Sequence, residues 1–524
     1  MPLRFRQEVQ EVPRNRVAGI KRLACFAAGI AFSLCLPKIG FSYLAWFAPA
    51  ALFYCARDAS SRREAALLGF LFGFGFAGRS LFWIFHTCRF AGVPLPVSGI
   101  ALTALAGFLA LNWALYGAAV RESARRLPAG ALPWVWALLW VALASASARW
   151  TPRVGFDLLA YTQYRWLPLL QLGAVFGPHG LAFLILVWNG ALAELARKSP
   201  SRTPRNNLSA AGLMILAAAA WGTSVLAARP VPAPSPDAAA VEILQPNIDQ
   251  YRKWDGRFEG DIRASIDALL ARPRSAKTAL VLWPESALPG WLDEPGNFSW
   301  IEGWAKRIGA PMIVGTITRS GERLHNSAVW IGADGVPAGL YHKRELVPFG
   351  EFVPMRRWLE PWIGILAQMG EFTAGGARQA LFDLPIGKTA VTICYEAVFP
   401  KYGRLDAARG ARVFVNLTND GWYKNTDGPY QHLTTNILRA VENRATVIRA
   451  ANTGISAVID PWGVVLESVP IGERARLDAR IPVSPFTEGS FYSRHGDWFG
   501  VAAILASLLL AAAALGERMK RARR

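Results

Sequence analysis

The sequence predicts a multi-span helical membrane domain, followed by an α/β domain and one final membrane span. Three observations predict this fold class. The 524 residues are 52 % hydrophobic and only 18 % charged, which is an apolar composition for a soluble chain. Uninterrupted apolar runs of roughly 20 residues, the length that crosses a bilayer, fill the first 228 residues, and one more lies near the C-terminus. Residues 240–495 instead alternate short β-rich runs with helical patterns.

Eight predicted spans account for the apolar runs. They lie at 22–37, 41–56, 65–86, 97–120, 131–148, 171–194, 208–228 and 499–515. Lysine and arginine collect in both tails and in every second gap between the spans. Because cationic loops stay on the cytoplasmic side, we expect cytoplasmic termini and an outer segment at 229–498. Since six more runs follow the first, that run is a retained span and not a cleaved signal peptide.

The charge and cysteine patterns exclude several classes of protein. The net charge of +20 follows from cations in the tails and cytoplasmic gaps, so we expect no nucleic-acid partner. Four of the five cysteines lie in or beside predicted spans, and Cys394 alone lies in the outer segment, which argues against a disulfide framework. The six histidines show no paired spacing with cysteines or acids. We therefore expect no metal and no cofactor.

The outer segment follows a proline-rich stretch, R-P-V-P-A-P-S-P, that favours an extended tether. Its β-rich runs lie at 240–247, 279–285, 311–317, 327–332, 388–394, 411–417 and 455–460, with helical patterns at 258–271, 297–308 and 429–445. Continuous apolar strands are typical of a sheet that is covered on both faces. The predicted division is 1–228 for the seven-span domain, 229–239 for the linker, 240–495 for the α/β domain, 496–516 for the eighth span and 517–524 for a basic cytoplasmic tail.

Polar residues follow several of these strands, and the most informative is Cys394 in V-T-I-C-Y-E. A free thiol is only slightly ionised at neutral pH, so a nucleophilic cysteine needs a base or a nearby cation. For an isolated cysteine at a strand, a buried structural role is the alternative. The run L-V-L-W-P-E ends at Glu285 in the same manner, and a third run leads into T-N-D-G-W at 418–422. Strand ends are where distant side chains converge on a ligand in α/β proteins.

Lys343 lies in Y-H-K-R-E-L-V-P-F-G-E, a segment in which charges alternate with aromatic, proline and glycine residues. By itself such a segment is a surface loop. Pro348 and Gly350 make it locally stiff, however, so Lys343 and Glu351 can point inward at a fixed separation. A preorganised site needs that stiffness.

Together these motifs resemble a known family. W-P-E at 283–285, the lysine of Y-H-K-R-E-L-V-P-F-G-E and I-C-Y-E at 393–396 resemble the Glu, Lys and Cys signatures of the nitrilase superfamily. Seven spans before such a domain and one after it resemble one family within it, the bacterial apolipoprotein N-acyltransferases. Further similar motifs are Q-P-N (245–247), K-W (253–254), T-N-D-G-W (418–422), G-P-Y-Q-H (428–432) and R-A-V-E-N-R (439–444). The resemblance covers nearly the whole chain.

The resemblance implies an αββα sandwich with a catalytic triad of Glu285, Lys343 and Cys394. Glu285 would act as general base, Lys343 would stabilise the thiolate and the oxyanion, and Cys394 would be the nucleophile. The backbone N–H of Tyr395 is the natural second oxyanion donor. Glu351 would orient the lysine, while Tyr395 and Glu396 would shape the pocket behind the nucleophile.

Three further residues are candidates for substrate binding. Trp254 and Trp422 would line the path of the lipid or acceptor, although packing or an interfacial aromatic belt explains them equally well. Arg79 lies inside the third predicted span, where it would either contact a phospholipid headgroup or extend to the interface. His432 is expected to be structural. The family often has Ala-Trp-Phe-Gly where this chain has Gly-Trp-Tyr-Lys at 421–424, which leaves the shape of that loop open.

The implied activity transfers an acyl chain from a membrane phospholipid, through a cysteine thioester, to the α-amino group of the N-terminal diacylglyceryl-cysteine of a lipoprotein. We expect a monomer in the bacterial inner membrane, with its catalytic domain on the periplasmic face. Membrane spans before the triad are expected if one substrate is a lipid that lies in the bilayer. A membrane-tethered carbon-nitrogen hydrolase that uses water is the nearest alternative. A transporter with an inactive outer domain is a third, but the spans carry few paired polar residues.

Overall fold

The structure is a computed structural model, described for residues 14–150, 154–197, 201–230, 239–274, 276–359, 371–481 and 484–522. Its helices are α1 (Arg14–Ser33), α2 (Ala48–Arg57), α3 (Arg62–Ser80), α4 (Phe82–Phe90), α5 (Leu95–Ala124), α6 (Leu132–Trp150), α7 (Leu167–Leu170), α8 (Gly173–Phe176), α9 (His179–Leu195), α10 (Thr203–Ala227), α11 (Glu259–Leu270), α12 (Asn297–Ile308), α13 (Arg356–Leu359), α14 (Pro400–Ala408), α15 (Gly428–Asn443), α16 (Phe491–His495) and α17 (Trp498–Ala522). Its strands are β1 (Ala239–Gln245), β2 (Thr278–Trp283), β3 (Met312–Ser320), β4 (Arg323–Ile331), β5 (Pro337–His342), β6 (Phe382–Leu384), β7 (Gly387–Ile393), β8 (Val413–Thr418), β9 (Thr446–Ala451), β10 (Ser456–Ile459), β11 (Val465–Val469) and β12 (Ala475–Ile481).

Helices α1 to α10 form a bundle in which small residues let the helices approach closely. A Cβ atom on Gly69 of α3 would overlap the backbone carbonyl of Trp113 of α5. Gly29 of α1 meets the carbonyl of Phe72 of α3 in the same way. Such contacts between small residues and backbone are typical of helices that pack within a membrane.

Several of these helices are long and apolar enough to cross a membrane, as the sequence predicted. Within the described residues, four qualify by length and composition: Leu95–Ala124, Ala129–Arg149, Thr203–Ala227 and Trp498–Glu517. The number rises to six if the bent pairs α3 with α4 and α7–α8 with α9 each count as one span. The second predicted span, 41–56, contains a 3₁₀ turn and the ten-residue helix α2, which is too short to cross alone. The total of eight spans stays a prediction.

The outer domain contains two six-stranded sheets. Their strand orders are β12-β1-β2-β3-β4-β5 and β11-β10-β9-β8-β7-β6. Each sheet has a parallel centre, β1-β2-β3 in the first and β7-β8-β9 in the second, with antiparallel strands at the flanks. Because β8 and β9 are buried along their whole length and β2 along nearly all of it, these strands appear in the sequence as continuous apolar runs.

The layers of this domain pack in the order helix, sheet, sheet, helix. The two sheets share one apolar core that includes Ile243, Leu282, Ile393 and Val415. Helices α11 and α12 cover the outer face of the first sheet. Helix α15 packs on the second sheet and is itself buried beneath the bundle, where Trp83 of α4 donates a hydrogen bond to Gln431 at 3.1 Å. This arrangement confirms the α/β sandwich and places the second sheet against the helical domain.

One helix runs past a predicted domain limit, and one predicted segment lies largely outside the described residues. Helix α17 continues to Ala522, beyond the predicted end of the last span at 516, because the basic residues that follow are good helix formers. Most of the predicted linker, 231–238, lies outside the described residues. The other domain limits stay predictions.

Candidate active site

Glu285 lies two residues after the end of β2, where Pro284 turns the chain out of the sheet. Its carboxylate is buried and fully hydrogen-bonded. Oε2 accepts the backbone N–H of Asn419 at 2.9 Å, and Oε1 accepts from Asn326 Nδ2 at 2.8 Å. The same Oε1 lies 3.2 Å from Lys343 Nζ. Strands β2, β4, β5 and β8 therefore all contribute to the position of this one side chain.

Lys343 directly follows β5, and only 1 % of its side chain is exposed. Its Nζ lies 2.8 Å from Glu351 Oε1, and Asn326 Nδ2 donates to the same oxygen at 2.8 Å. The other oxygen of Glu351 accepts the N–H of Val347, which closes the stiff segment on itself. Burial acts to lower the pKa of Lys343, but Glu285 and Glu351 outweigh it and raise this pKa well above its usual value. The ammonium is therefore charged at neutral pH.

Cys394 directly follows β7 and adopts a left-handed backbone conformation with φ of +50°. A non-glycine residue adopts this conformation at a cost and keeps it only when its surroundings hold it. The side chain is buried. Burial raises the pKa of the thiol, the charge of Glu285 raises it further, and the charge of Lys343 lowers it. The thiol is therefore protonated at rest, and attack on a substrate requires a base.

Glu396 joins the turn of Cys394 to the segment of Lys343. Its carboxylate is fully buried and accepts the N–H of Ile393 at 2.6 Å and the hydroxyl of Tyr341 at 2.6 Å. It also accepts the backbone N–H groups of Arg344 and Glu345. A carboxylate with this many donors fixes two loops relative to each other. The predicted supporting role of Glu396 thus has a physical basis in the geometry.

Tyr395 packs beside the bundle, with its ring 4.9 Å from that of Phe399 and 6.4 Å from that of Phe156.

The predicted substrate-binding residues lie further out. Trp254 is 48 % exposed, and the ring of Trp422 contacts those of Phe90 and Tyr251. Within the described parts of the chain, no hydrogen bond joins either tryptophan to the triad.

Arg79, the third predicted substrate-binding residue, has a protein partner. Its Nη1 lies 2.7 Å from Asp427 Oδ2, at the start of α15. The pair joins the end of α3 to the loop that carries Trp422. Contact of Arg79 with a lipid headgroup stays a prediction.

Two residues near the site were not identified from the sequence, and a third was given only a structural role. Asn326 bridges Glu285 and Glu351, but an asparagine inside a strand carries no signal for this role. Lys253 is buried and donates from Nζ to the backbone carbonyl of Glu285 at 3.2 Å. Its burial lowers the pKa to about 8. The K-W motif marked its position, but only Trp254 was selected from it. His432 was expected to be structural, yet its Nε2 lies 2.9 Å from the carbonyl oxygen of Cys394.

Cys394, Asp420 and His432 bring three donor atoms within 4.8 Å of one another, a spacing that can hold a metal ion. Asp420 and His432 already bind each other at 2.9 Å, and Arg449 Nη2 contacts the other oxygen of Asp420 at 2.6 Å. A cation would have to displace these bonds and lie beside a guanidinium. We therefore interpret the group as a hydrogen-bonded cluster beneath Cys394.

Known proteins resemble both halves of the chain. Residues 28–191 match the apolipoprotein N-acyltransferase N-terminal domain, and residues 242–484 match the carbon-nitrogen hydrolase family. A relative named apolipoprotein N-acyltransferase from Geobacter metallireducens is 35% identical, and the match covers 95% of this chain and 95% of the relative. The chain belongs to the apolipoprotein N-acyltransferase family. Relatives of the same name from Bordetella bronchiseptica and Azotobacter vinelandii are 31% and 32% identical over 94% and 95% of this chain, and over 96% of each relative.

Membership in the apolipoprotein N-acyltransferase family confirms the resemblance found in the sequence. It makes the chain an N-acyltransferase with a nitrilase-like domain and membrane character, and it favours this activity over the hydrolase alternative. The individual roles of Glu285, Lys343 and Cys394 stay predictions.

Proposed function

We propose that this protein moves an acyl chain from a membrane phospholipid, through a thioester on Cys394, to the α-amino group of the N-terminal diacylglyceryl-cysteine of a lipoprotein. The observation that carries the proposal is the buried ammonium of Lys343, 3.2 Å from Glu285 and 2.8 Å from Glu351, with its charge acting on Cys394. The relatives named apolipoprotein N-acyltransferase support the nature of both substrates.

In the first half-reaction, Glu285 removes the proton of the Cys394 thiol as the sulfur attacks the ester carbonyl of the phospholipid. A carbon–sulfur bond forms, and the carbonyl oxygen becomes an oxyanion beside Lys343 and the N–H of Tyr395. The intermediate then expels the glycerol oxygen, which takes the proton from Glu285 and leaves as lysophospholipid. Because burial keeps the thiol protonated at rest, the base is essential to this step.

In the second half-reaction, the α-amino group of the acceptor attacks the thioester carbonyl. Glu285 removes a proton from the amine and returns it to the sulfur as the carbon–sulfur bond breaks. The products are an amide on the lipoprotein and the free thiol of Cys394. Both half-reactions use the same base and the same oxyanion donors, as a ping-pong mechanism requires.

The packing of the site against the bundle supports a lipid donor. Tyr395 and Val398, which follow the nucleophile, share one apolar cluster with Ala77, Leu81 and Trp83 of the membrane domain. The segment that carries Cys394 therefore packs directly against the membrane domain. We also propose that the protein lies in the bacterial inner membrane as a monomer, with the α/β domain on the periplasmic face and both termini in the cytoplasm. Protease treatment of spheroplasts would cleave the α/β domain in this orientation and leave it intact in the opposite one.

The test of function combines purified protein, a single defined phospholipid and a synthetic diacylated lipopeptide. We expect the wild type to add one acyl chain to the peptide, and the Cys394→Ala variant to add none. Cys88→Ala, at a half-buried cysteine of α4, is the matched control and should behave as the wild type does.

The same assay distinguishes transfer from hydrolysis. A carbon-nitrogen hydrolase that uses water would release free fatty acid whether or not the peptide is present. An acyltransferase should release little fatty acid and should require the peptide for turnover. Acyl transfer by the Cys394→Ala variant would reject the proposed chemistry.

A further inference from the structure

A fully buried polar cluster lies directly behind the peptide bond that follows Cys394. It consists of His432 of α15, Asp420 after β8 and Arg449 of β9. The carbonyl oxygen of Cys394 accepts a hydrogen bond from His432 Nε2 at 2.9 Å, with Asn416 Nδ2 at 3.4 Å. Burying ionic groups is costly unless each is paired. A cluster of this kind at this point indicates a function beyond packing.

The orientation of the imidazole is determined by its neighbours. A carbonyl oxygen can only accept, so Nε2 of His432 carries the hydrogen. Nδ1 faces Asp420 Oδ1 at 2.9 Å and Arg449 Nη2, which can donate to it, at 3.2 Å, and the same Nη2 lies 2.6 Å from Asp420 Oδ2. Arg449 is held in turn by Asn416 Oδ1 at 2.7 Å. A Cβ on Gly454 would overlap the carboxylate of Asp420, so the chain is shaped to admit this side chain.

The geometry of the peptide unit connects this cluster to the chemistry. The C=O of Cys394 and the N–H of Tyr395 belong to one planar trans peptide and point in opposite directions. A donor that fixes the carbonyl on one side therefore fixes the direction of the N–H on the other. It also polarises the peptide, which strengthens the N–H as a donor. The N–H of Tyr395 is the second oxyanion donor in the proposed mechanism.

We infer that His432 is a positioning residue for acyl transfer: it binds the Cys394 carbonyl from behind and so aims the N–H of Tyr395 at the oxyanion. Asp420 and Arg449 hold the ring in the orientation that this requires. The same bond helps to maintain the left-handed backbone of Cys394. The inference rests on the proposed function in one respect: an oxyanion must form on the carbonyl that Cys394 attacks.

The test uses three substitutions of His432 that differ in which hydrogen bond they keep. Glutamine can place an amide N–H near the position of Nε2, asparagine reaches only the position of Nδ1, and leucine replaces neither. The probe is p-nitrophenyl butyrate, an activated ester that we expect to acylate Cys394 in the wild type without phospholipid or lipopeptide; absence of a wild-type burst would overturn the inference. The rate of the p-nitrophenol burst measures a step that passes through an oxyanion. Iodoacetamide alkylation of the same thiol measures a step that does not.

We expect burst rates about 10²-fold below the wild type for His432→Asn and His432→Leu, as for loss of one oxyanion donor. His432→Gln should be at least tenfold faster than His432→Asn. The glutamine and asparagine variants should have alkylation rates that agree within about threefold. Their thermal midpoints should agree within a few degrees. His495→Asn, at an exposed histidine that ends α16, is the control and should match the wild type.

Equal burst rates for the glutamine and asparagine variants, or burst and alkylation rates that fall together, would overturn the inference and assign His432 a structural role. The assay separates this failure from failure of the proposed function. If phospholipid does not acylate the wild type while the burst with p-nitrophenyl butyrate still depends on His432 as expected, the positioning role stands and the lipid donor is wrong.

Discussion

Replacing Lys343 by methionine removes a buried charge while it keeps most of the side-chain volume. In the wild type, Nζ lies 2.8 Å and 3.2 Å from two carboxylate oxygens, and its side chain is 1 % exposed. Breaking a buried ion pair of this kind costs about 3–5 kcal/mol, because the partner is left as an unpaired charge. Here two carboxylates, Glu285 and Glu351, lose the same partner. We expect the free energy of unfolding to fall by about 4 kcal/mol near neutral pH.

The loss should be present from acidic to mildly alkaline pH. The raised pKa of Lys343 means that its contribution to stability is fully present below the pKa of an unfolded lysine, and is lost only as pH rises through the folded value. The variant should therefore be less stable than the wild type at both pH 5 and pH 8.

The assay is thermal unfolding in detergent, followed by tryptophan fluorescence at pH 5 and pH 8. For a domain of this size, about 4 kcal/mol corresponds to a fall in midpoint of roughly 10 °C. Lys306→Met is the matched control, because Lys306 is 57% exposed and pairs with Glu302 on the surface of α12. Its loss should cost less than about 1 kcal/mol. Equal midpoints for the wild type and the Lys343 variant at both pH values would refute the buried-pair interpretation.

Three further predictions concern the surroundings of the triad. Burial raises the pKa of the Cys394 thiol. The rate of its alkylation by iodoacetamide should therefore rise about tenfold per pH unit, without a plateau below pH 9. A plateau below pH 9 would contradict the raised pKa. In denaturant titrations, Glu396→Ala should lower the free energy of unfolding by about 3 kcal/mol. Glu396→Gln should lower it by less, because glutamine keeps an acceptor. Equal losses of stability in the two variants would contradict the bridging role. The Arg79–Asp427 pair is partly exposed. A double-mutant cycle of Arg79→Gln and Asp427→Asn, measured by thermal unfolding, should therefore give a coupling energy below about 1 kcal/mol. A larger coupling energy would contradict the view that solvent screens this pair.

The three residues predicted to form a triad could be selected from the sequence because each has a local signature. Glu285 and Cys394 end apolar runs, and Lys343 lies in a segment stiffened by proline and glycine. Asn326 and Arg449 have no such signature, since both lie inside strands whose partners come from distant parts of the chain. Their roles depend on tertiary contacts that no local pattern encodes.

The layers of the fold were predictable for the same reason. The directions of the strands and the details of the helices were not. Continuous apolar runs predict buried strands, but they do not reveal that β4 and β12 pair antiparallel to their neighbours. The run at 41–56 is apolar enough to be predicted as one span, but it is not a continuous helix. Its first part forms a 3₁₀ turn before α2, because apolar composition determines where a segment lies more strongly than how its backbone is hydrogen-bonded.

Intact mass spectrometry tests the covalent chemistry most directly. The wild-type protein is incubated with one phospholipid of defined acyl chains, and its mass is recorded before and after the diacylated lipopeptide is added. We predict a gain of one acyl chain on the peptide that contains Cys394, and its loss when the acceptor arrives. A protein that gains no acyl chain, or a Cys394→Ala variant that gains the same mass, would contradict a thioester at this residue.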